Sequence, residues 1–147
     1  MGTVFTKSPT ASELLVAFRN KIKTLGHDIG IDSNDLHIEV VSDSVVAQLK
    51  AGNLNDWKAG IEKTGWESET SEEPFRVGSV EDLPEYLLQV VAQTVNCKVD
   101  DAPARIGAVW VARKYEERGD KSWSYRWWVF EVEGHAFRLL DYHFSKG

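Results

Sequence analysis

The chain has 147 residues, of which 42% are hydrophobic and 27% charged, an ordinary composition for a globular protein with one core. Its single cysteine excludes an internal disulfide framework, and no segment approaches the ~20 apolar residues that cross a membrane. These features predict a single domain over residues 1–147, located in the cytoplasm and not bound to a membrane.

The negative charge of the chain is concentrated in one stretch. The net charge is −6, and residues 62–85, which we call the acidic segment, hold eight acidic and only two basic side chains. Nucleic-acid binding requires a stripe of basic side chains that displaces counterions from phosphates, and the sequence has none. We therefore do not expect a nucleic-acid ligand, and a partner protein with a basic surface matches the charge better.

The first predicted element is a helix over residues 11–25. Thr10 and Glu13 have the spacing of a capping box, in which each side chain accepts a hydrogen bond from the backbone amide of the other. Gly26 is the predicted stop, because glycine readily adopts the left-handed conformation that ends helices. The apolar residues recur at helical spacing and form one stripe: Leu14, Leu15, Phe18, Ile22 and Leu25.

Shorter elements follow the first helix. Residues 36–41 alternate between apolar and polar side chains, which predicts a short strand. Short helices are predicted over residues 42–52 and 53–65, each ended by a glycine. Residues 66–78 lack a helical period and hold four glutamates, so they predict an exposed loop, with residues 75–77 as a candidate edge strand.

A second long helix is predicted over residues 83–95. Pro84 has no amide proton and therefore belongs in the first turn of a helix. Asp82 is then the predicted cap, and Glu85 completes a second capping box with it. Asn96 is the predicted stop.

Residues 105–144 predict a three-strand antiparallel meander, with strands near 105–115, 122–132 and 136–144. Strict alternation places Ile106 on the same face as Trp110. The second strand is bulky on both faces, which predicts a central position. The predicted fold class is therefore α+β, with strand 36–41 as a candidate fourth strand and helices 11–25 and 83–95 covering one face. For the other face of the sheet we expect one of three situations: it is covered by the short helices, it binds a partner, or it lines a cavity.

The first functional hypothesis is a non-enzymatic binding module for a cationic protein. Aromatic side chains surrounded by carboxylates have the composition of a binding hot spot with electrostatic steering. Neutralising inhibitors and immunity proteins have this size and charge, which is an analogy of composition. The predicted partner-binding residues are Trp57, Trp66, Glu67, Glu69, Glu72, Glu73 and Phe75.

The alternative hypothesis is a small-molecule-binding protein or enzyme with a pocket between the aromatic sheet and the helices. The candidate pocket residues are Trp110, Trp127, His135, Phe137, Asp141 and His143. No phosphate-binding glycine loop, nucleophile elbow or metal-binding motif is present in the sequence. We therefore predict no catalytic residue, metal site or cofactor, and a homodimer that buries the sheet face on itself is a third alternative.

Overall fold

A computed structural model describes residues 9–29, 36–52 and 76–146 of the chain. The helix predicted over residues 53–65 and the loop over residues 66–75 lie outside these ranges. In chain order the elements are α1 (Ala11–Ile29), β1 (Leu36–Val40), α2 (Asp43–Lys50), β2 (Arg76–Gly78), α3 (Glu85–Val95), β3 (Ile106–Arg118), β4 (Lys121–Val132) and β5 (His135–Lys146). Short 3-10 segments cover Val80–Asp82 and Val99–Arg105.

The five strands form one antiparallel sheet in the order β1-β5-β4-β3-β2. The predicted α+β class with a C-terminal antiparallel meander is confirmed. The strand predicted over residues 36–41 joins this meander as β1, which pairs with β5. The bulky strand β4 is central, as its apolar side chains on both faces predicted. Trp127 in β4 lies opposite Ala112 in β3 and Leu140 in β5, which fixes the register of the three long strands.

Two-residue turns join the three long strands. In the first turn Gly119 has φ +63°, and in the second both Glu133 (φ 52°) and Gly134 (φ +80°) lie in the left-handed region. These conformations match the right-handed twist of antiparallel strands, so short turns of this kind fix hairpin register. Residues on β3 and β4 therefore pair in a regular ladder from the turn inward, Arg118 opposite Lys121 and Arg113 opposite Arg126.

The start of α1 is as predicted, but its end is not. The Thr10 hydroxyl accepts a hydrogen bond from the Glu13 amide (3.1 Å), and the Glu13 carboxylate accepts one from the Thr10 amide (3.2 Å). The helix continues past Gly26 to Ile29, so the prediction that Gly26 ends it was wrong. A glycine inside a helix costs only about 1 kcal/mol relative to alanine, which a helix packed on a sheet tolerates.

The start of α3 differs from the predicted capping box. Leu83 is extended (φ −77°, ψ 145°), as expected for a residue that precedes proline, and the helix begins at Glu85. Asp82 therefore does not cap α3, and the prediction of a box with Glu85 was wrong. The end of the helix is as predicted, because Asn96 adopts the left-handed conformation (φ 59°, ψ 55°).

The two faces of the sheet carry separate hydrophobic clusters. One face, which we call the helix face, packs against α1 and α3, where Phe18 of α1 contacts Phe137 of β5 edge to face (4.9 Å, 90°). The other face, which we call the α2 face, packs against α2 and includes Trp110, Trp127 and Leu49. The prediction that the two long helices share one face is confirmed.

Ile106 is an exception to the predicted alternation. The register between β3 and β4 shifts between Ile106 and Val109, and Ile106 joins the cluster on the helix face. The prediction that it shares a face with Trp110 was wrong, because an irregularity of this kind reverses the faces of the residues before it.

Candidate functional site

All seven residues predicted to bind a partner lie outside the described residues: Trp57, Trp66, Glu67, Glu69, Glu72, Glu73 and Phe75. The described part of the acidic segment is residues 76–85. It runs along the edge of the sheet as β2, whose residues pair with Val109, Trp110 and Val111 of β3. Val77 is 70% exposed on this edge, and Glu81 and Glu85 are exposed beyond it. The described end of the acidic segment is therefore accessible surface.

Asp82 organises the turn between β2 and α3. One carboxylate oxygen accepts a hydrogen bond from the Ser79 amide (2.8 Å) and the other accepts one from Arg76 (3.2 Å). The Asp82 carbonyl oxygen accepts a hydrogen bond from the indole of Trp128 (2.9 Å). The hydrogen bond from the Ser79 amide, with a smaller contribution from Arg76, lowers the pKa of Asp82 below its ordinary value of 3.8.

Gly78 lets this turn approach the sheet closely. A Cβ atom at this position would lie 2.8 Å from a carboxylate oxygen of Asp82 and 2.9 Å from a methyl group of Val111. Any side chain at this position would displace one of these groups, so glycine allows the close contact between the turn and β3.

We expect Asp82→Ala to lower the free energy of unfolding by about 1 kcal/mol at neutral pH, the usual effect of losing a capping side chain. Because the folded-state pKa of Asp82 is lowered, its stabilisation is fully present above its unfolded pKa of 3.8 and is lost as the pH falls through the folded pKa. In urea unfolding, the difference in free energy of unfolding between the variant and the wild type should therefore shrink below pH 3.8.

The exposed residue Glu81, next to Asp82, provides the control for the Asp82→Ala variant. Glu81→Ala removes a carboxylate from the same turn, and we expect it to change stability by less than about 0.5 kcal/mol. A difference between the Asp82 variant and the wild type that stayed constant over the whole acid range would contradict the assigned role of the carboxylate.

Beside this turn is an open cleft of about 270 Å³ on the helix face, which we call the arginine cleft. Arg113 and Arg126 lie directly opposite each other on β3 and β4, and both side chains are exposed. The cleft is lined by Arg76, Glu81, Asp82, Val111, Arg113, Arg126 and Trp128.

The pKa of Tyr86 in α3 is shifted by burial and by the charges of Asp141 and Arg126 near this cleft. Burial raises the pKa of Tyr86 far above its ordinary value of 10.0, the negative charge of Asp141 raises it further, and the positive charge of Arg126 opposes both. Asp141 lies opposite Arg126 on the neighbouring strand. A row of charged residues, Arg113, Arg126 and Asp141, thus crosses the helix face from β3 to β5.

The candidate pocket residues do not share one surface. Trp110 and Trp127 are buried on the α2 face, whereas Phe137 is buried on the helix face, so the sheet separates them. His135 Nε2 lies 3.0 Å from the Pro9 carbonyl oxygen, next to the start of α1. Asp141 is on the helix face, where its charge raises the pKa of Tyr86, and the His143 side chain is outside what the structure describes.

The sequence interpretation did not single out Arg113 or Arg126. Their pairing has a signal in the sequence, because a two-residue turn at Gly119 and Asp120 places residues at equal distances from the turn opposite each other. Arg126 also interrupts the otherwise bulky, apolar face of the central strand.

A second polar feature lies on the α2 face. Arg138 of β5 is only 3% exposed, and its guanidinium donates a hydrogen bond to the carboxylate of Glu39 on β1 (2.7 Å). Burial lowers the pKa of Arg138, and the nearby charge of Glu39 opposes this shift. Because arginine stays protonated in proteins, this is an ion pair within the edge of the sheet.

Over residues 9–29, 36–52 and 76–146, no group of three or more His, Cys, Asp or Glu side chains is placed to hold a metal ion. The helices in these ranges include none that is long and apolar enough to cross a membrane.

Comparisons with protein-family models, curated proteins and solved structures found no match to this chain.

Proposed function

We propose that this protein is a non-enzymatic binding protein that holds a cationic partner protein through the acidic segment, in the manner of a neutralising inhibitor or immunity protein. One observation carries the proposal: residues 62–85 hold eight acidic and two basic side chains and so account for the whole net charge of −6. Charge gathered in one place creates a local field that steers an oppositely charged surface toward it.

Aromatic residues within and beside the acidic segment supply binding affinity that carboxylates alone do not. Exposed ion pairs contribute little affinity each, about 0.2–1 kcal/mol, so electrostatics favours encounter more than retention. Trp66 and Phe75 lie within the segment and Trp57 lies just before it. Large aromatic side chains dominate binding energy where they enter a desolvated pocket on the partner.

The described end of the segment supports this proposal as a contact surface. Val77 is 70% exposed on the edge strand, and Glu81 and Glu85 are exposed on the following turn and helix. Isolated exposed apolar side chains are common on proteins, but one next to a run of carboxylates has the composition of an interface with a polar rim.

The test uses the protein as bait in lysate of its source cells, at low salt and at about 1 M salt, where the Debye length falls to about 3 Å. We expect capture of a basic protein that is lost at high salt. With the purified partner, neutralising Glu67, Glu69, Glu72 and Glu73 to Gln should weaken affinity by at least about tenfold, since four rim pairs act together.

A matched variant removes the same number of charges elsewhere. Asp43, Asp100, Asp101 and Asp120 are exposed and lie outside the acidic segment, so changing all four to Asn tests net charge alone. We expect this variant to keep most of the affinity. Equal weakening by both variants, or capture that is insensitive to salt, would contradict the proposal.

A further inference from the structure

We propose that the outer edge of β1 is a latent surface for self-pairing, whose partner is a second copy of this chain, and that Arg19 keeps this surface closed. The inference goes beyond the proposed protein-binding function and does not depend on it. β1 is the outermost strand on its side of the sheet, and among the described residues no other strand pairs with its outer side. An unpaired strand edge of this kind is a template on which another chain can add a strand.

The backbone groups of alternate β1 residues point away from the sheet. The Val41 amide donates a hydrogen bond to the Ala136 carbonyl oxygen (3.0 Å), which continues the ladder between β1 and β5. Because hydrogen-bonded pairs alternate along antiparallel strands, the amide and carbonyl groups of Ile38 and Val40 are directed outward. The hydrogen bond that the Ile38 carbonyl oxygen accepts from Arg19 at this edge agrees with that assignment.

The sequence of β1 is complementary to itself in the antiparallel direction. When two copies pair about a two-fold axis at Ile38, the outward groups of Ile38 meet those of Ile38 in the second copy, and positions 36 and 40 meet in the same way. His37 then lies opposite Glu39 of the second copy, a favourable cross-strand pair of an imidazole and a carboxylate. Every outward-directed position of the strand therefore finds a partner in this register.

Arg19 of α1 occupies the centre of this edge. Its guanidinium donates a hydrogen bond to the Ile38 carbonyl oxygen (3.2 Å), the acceptor that lies at the two-fold axis. Pairing of two copies breaks this contact in each copy and brings the two guanidinium groups to the same axis, where like charges repel. Arg19 is itself exposed and lies outside the hydrophobic clusters, so the contact opposes self-pairing without contributing to the core.

The test is sedimentation equilibrium of the wild type and Arg19→Ala over matched concentrations. We expect Arg19→Ala to form a dimer with a dissociation constant at least about tenfold lower than that of the wild type, because two hydrogen bonds from charged groups and one like-charge repulsion are removed. Lys23→Ala removes an exposed cation one turn further along α1 and should associate no more tightly than the wild type.

Second substitutions identify which edge of the sheet is used. Val40 is 41% exposed on β1, and Val77 is 70% exposed on β2 at the opposite edge. Added to Arg19→Ala, Val40→Lys places a charge that opposes strand pairing and should restore the monomer, whereas Val77→Lys should leave the dimer intact. In the Arg19→Ala dimer, hydrogen exchange of the Ile38 and Val40 amides should be slower than in the monomer, because both become paired.

Three results would overturn the proposal. One is an Arg19→Ala protein that is folded by circular dichroism and associates no more tightly than the wild type. Another is equal association of the Lys23→Ala variant, which would assign the effect to net charge. The third is an Arg19→Ala dimer that Val77→Lys disrupts and Val40→Lys does not.

Discussion

Changing Glu39 to Gln is expected to lower the free energy of unfolding by about 3 kcal/mol, the lower end of the range for removing one partner of a buried ion pair. The Arg138 side chain is 3% exposed and remains charged, so the variant leaves a cation inside the edge of the sheet without its carboxylate. The Nε atom of Arg138 is also buried and has no hydrogen-bond partner among the described residues, so little else compensates the charge. Urea unfolding at neutral pH measures the difference.

The control for this result removes the cation as well. The double variant Glu39→Gln, Arg138→Met has no buried charge, and its side chain at position 138 keeps a similar length in an apolar setting. We expect it to recover most of the lost stability, as replacing whole buried pairs often does. A loss of less than about 1 kcal/mol in the single variant would show that the ion pair behaves as an exposed one.

Changing Phe18 to Ala should cost about 3–5 kcal/mol, the usual range for deleting a buried aromatic ring. Phe18 has no exposed surface and contacts two rings of the sheet, Phe137 at 4.9 Å and Phe130 at 6.2 Å between centroids. Together with Leu14 and Ile22 it packs α1 on the sheet, so the cavity would open between helix and sheet. Thermal and urea unfolding of the variant provide the measurement.

Val16 provides the matched control on the same helix. It is 58% exposed, and we expect Val16→Ala to change the free energy of unfolding by less than about 0.5 kcal/mol. If the Phe18 variant were as stable as the Val16 variant, α1 would not pack on the sheet as described.

The parts of the fold that were predictable from sequence are those set by local pattern. The capping box of Thr10 and Glu13, the left-handed Asn96 and the bulk of β4 on both faces each depend on residues close together in the chain. Such signals act before tertiary contacts form, which is why the α+β class and the central strand could be read from them.

The features that could not be predicted depend on competing conformational preferences of adjacent residues or on contacts between residues far apart in the chain. Pro84 forces the preceding residue to be extended, and this outweighed the capping preference of Asp82. The register shift near Ile106 has no clear signal in a pattern of alternation. The pair of Glu39 and Arg138 requires knowing that β1 lies beside β5. The partner-binding residues of the acidic segment stay a prediction.

The position of β1 has a consequence for the order of folding. Its partners on β5 are roughly a hundred residues away along the chain, whereas β3, β4 and β5 are joined by two-residue turns. Closing a long loop costs entropy before its contacts are gained, so the meander should form first and β1 should add late. Stopped-flow kinetics of Glu39→Gln should then show faster unfolding at a nearly unchanged folding rate. A slower folding rate instead would place β1 in the folding nucleus.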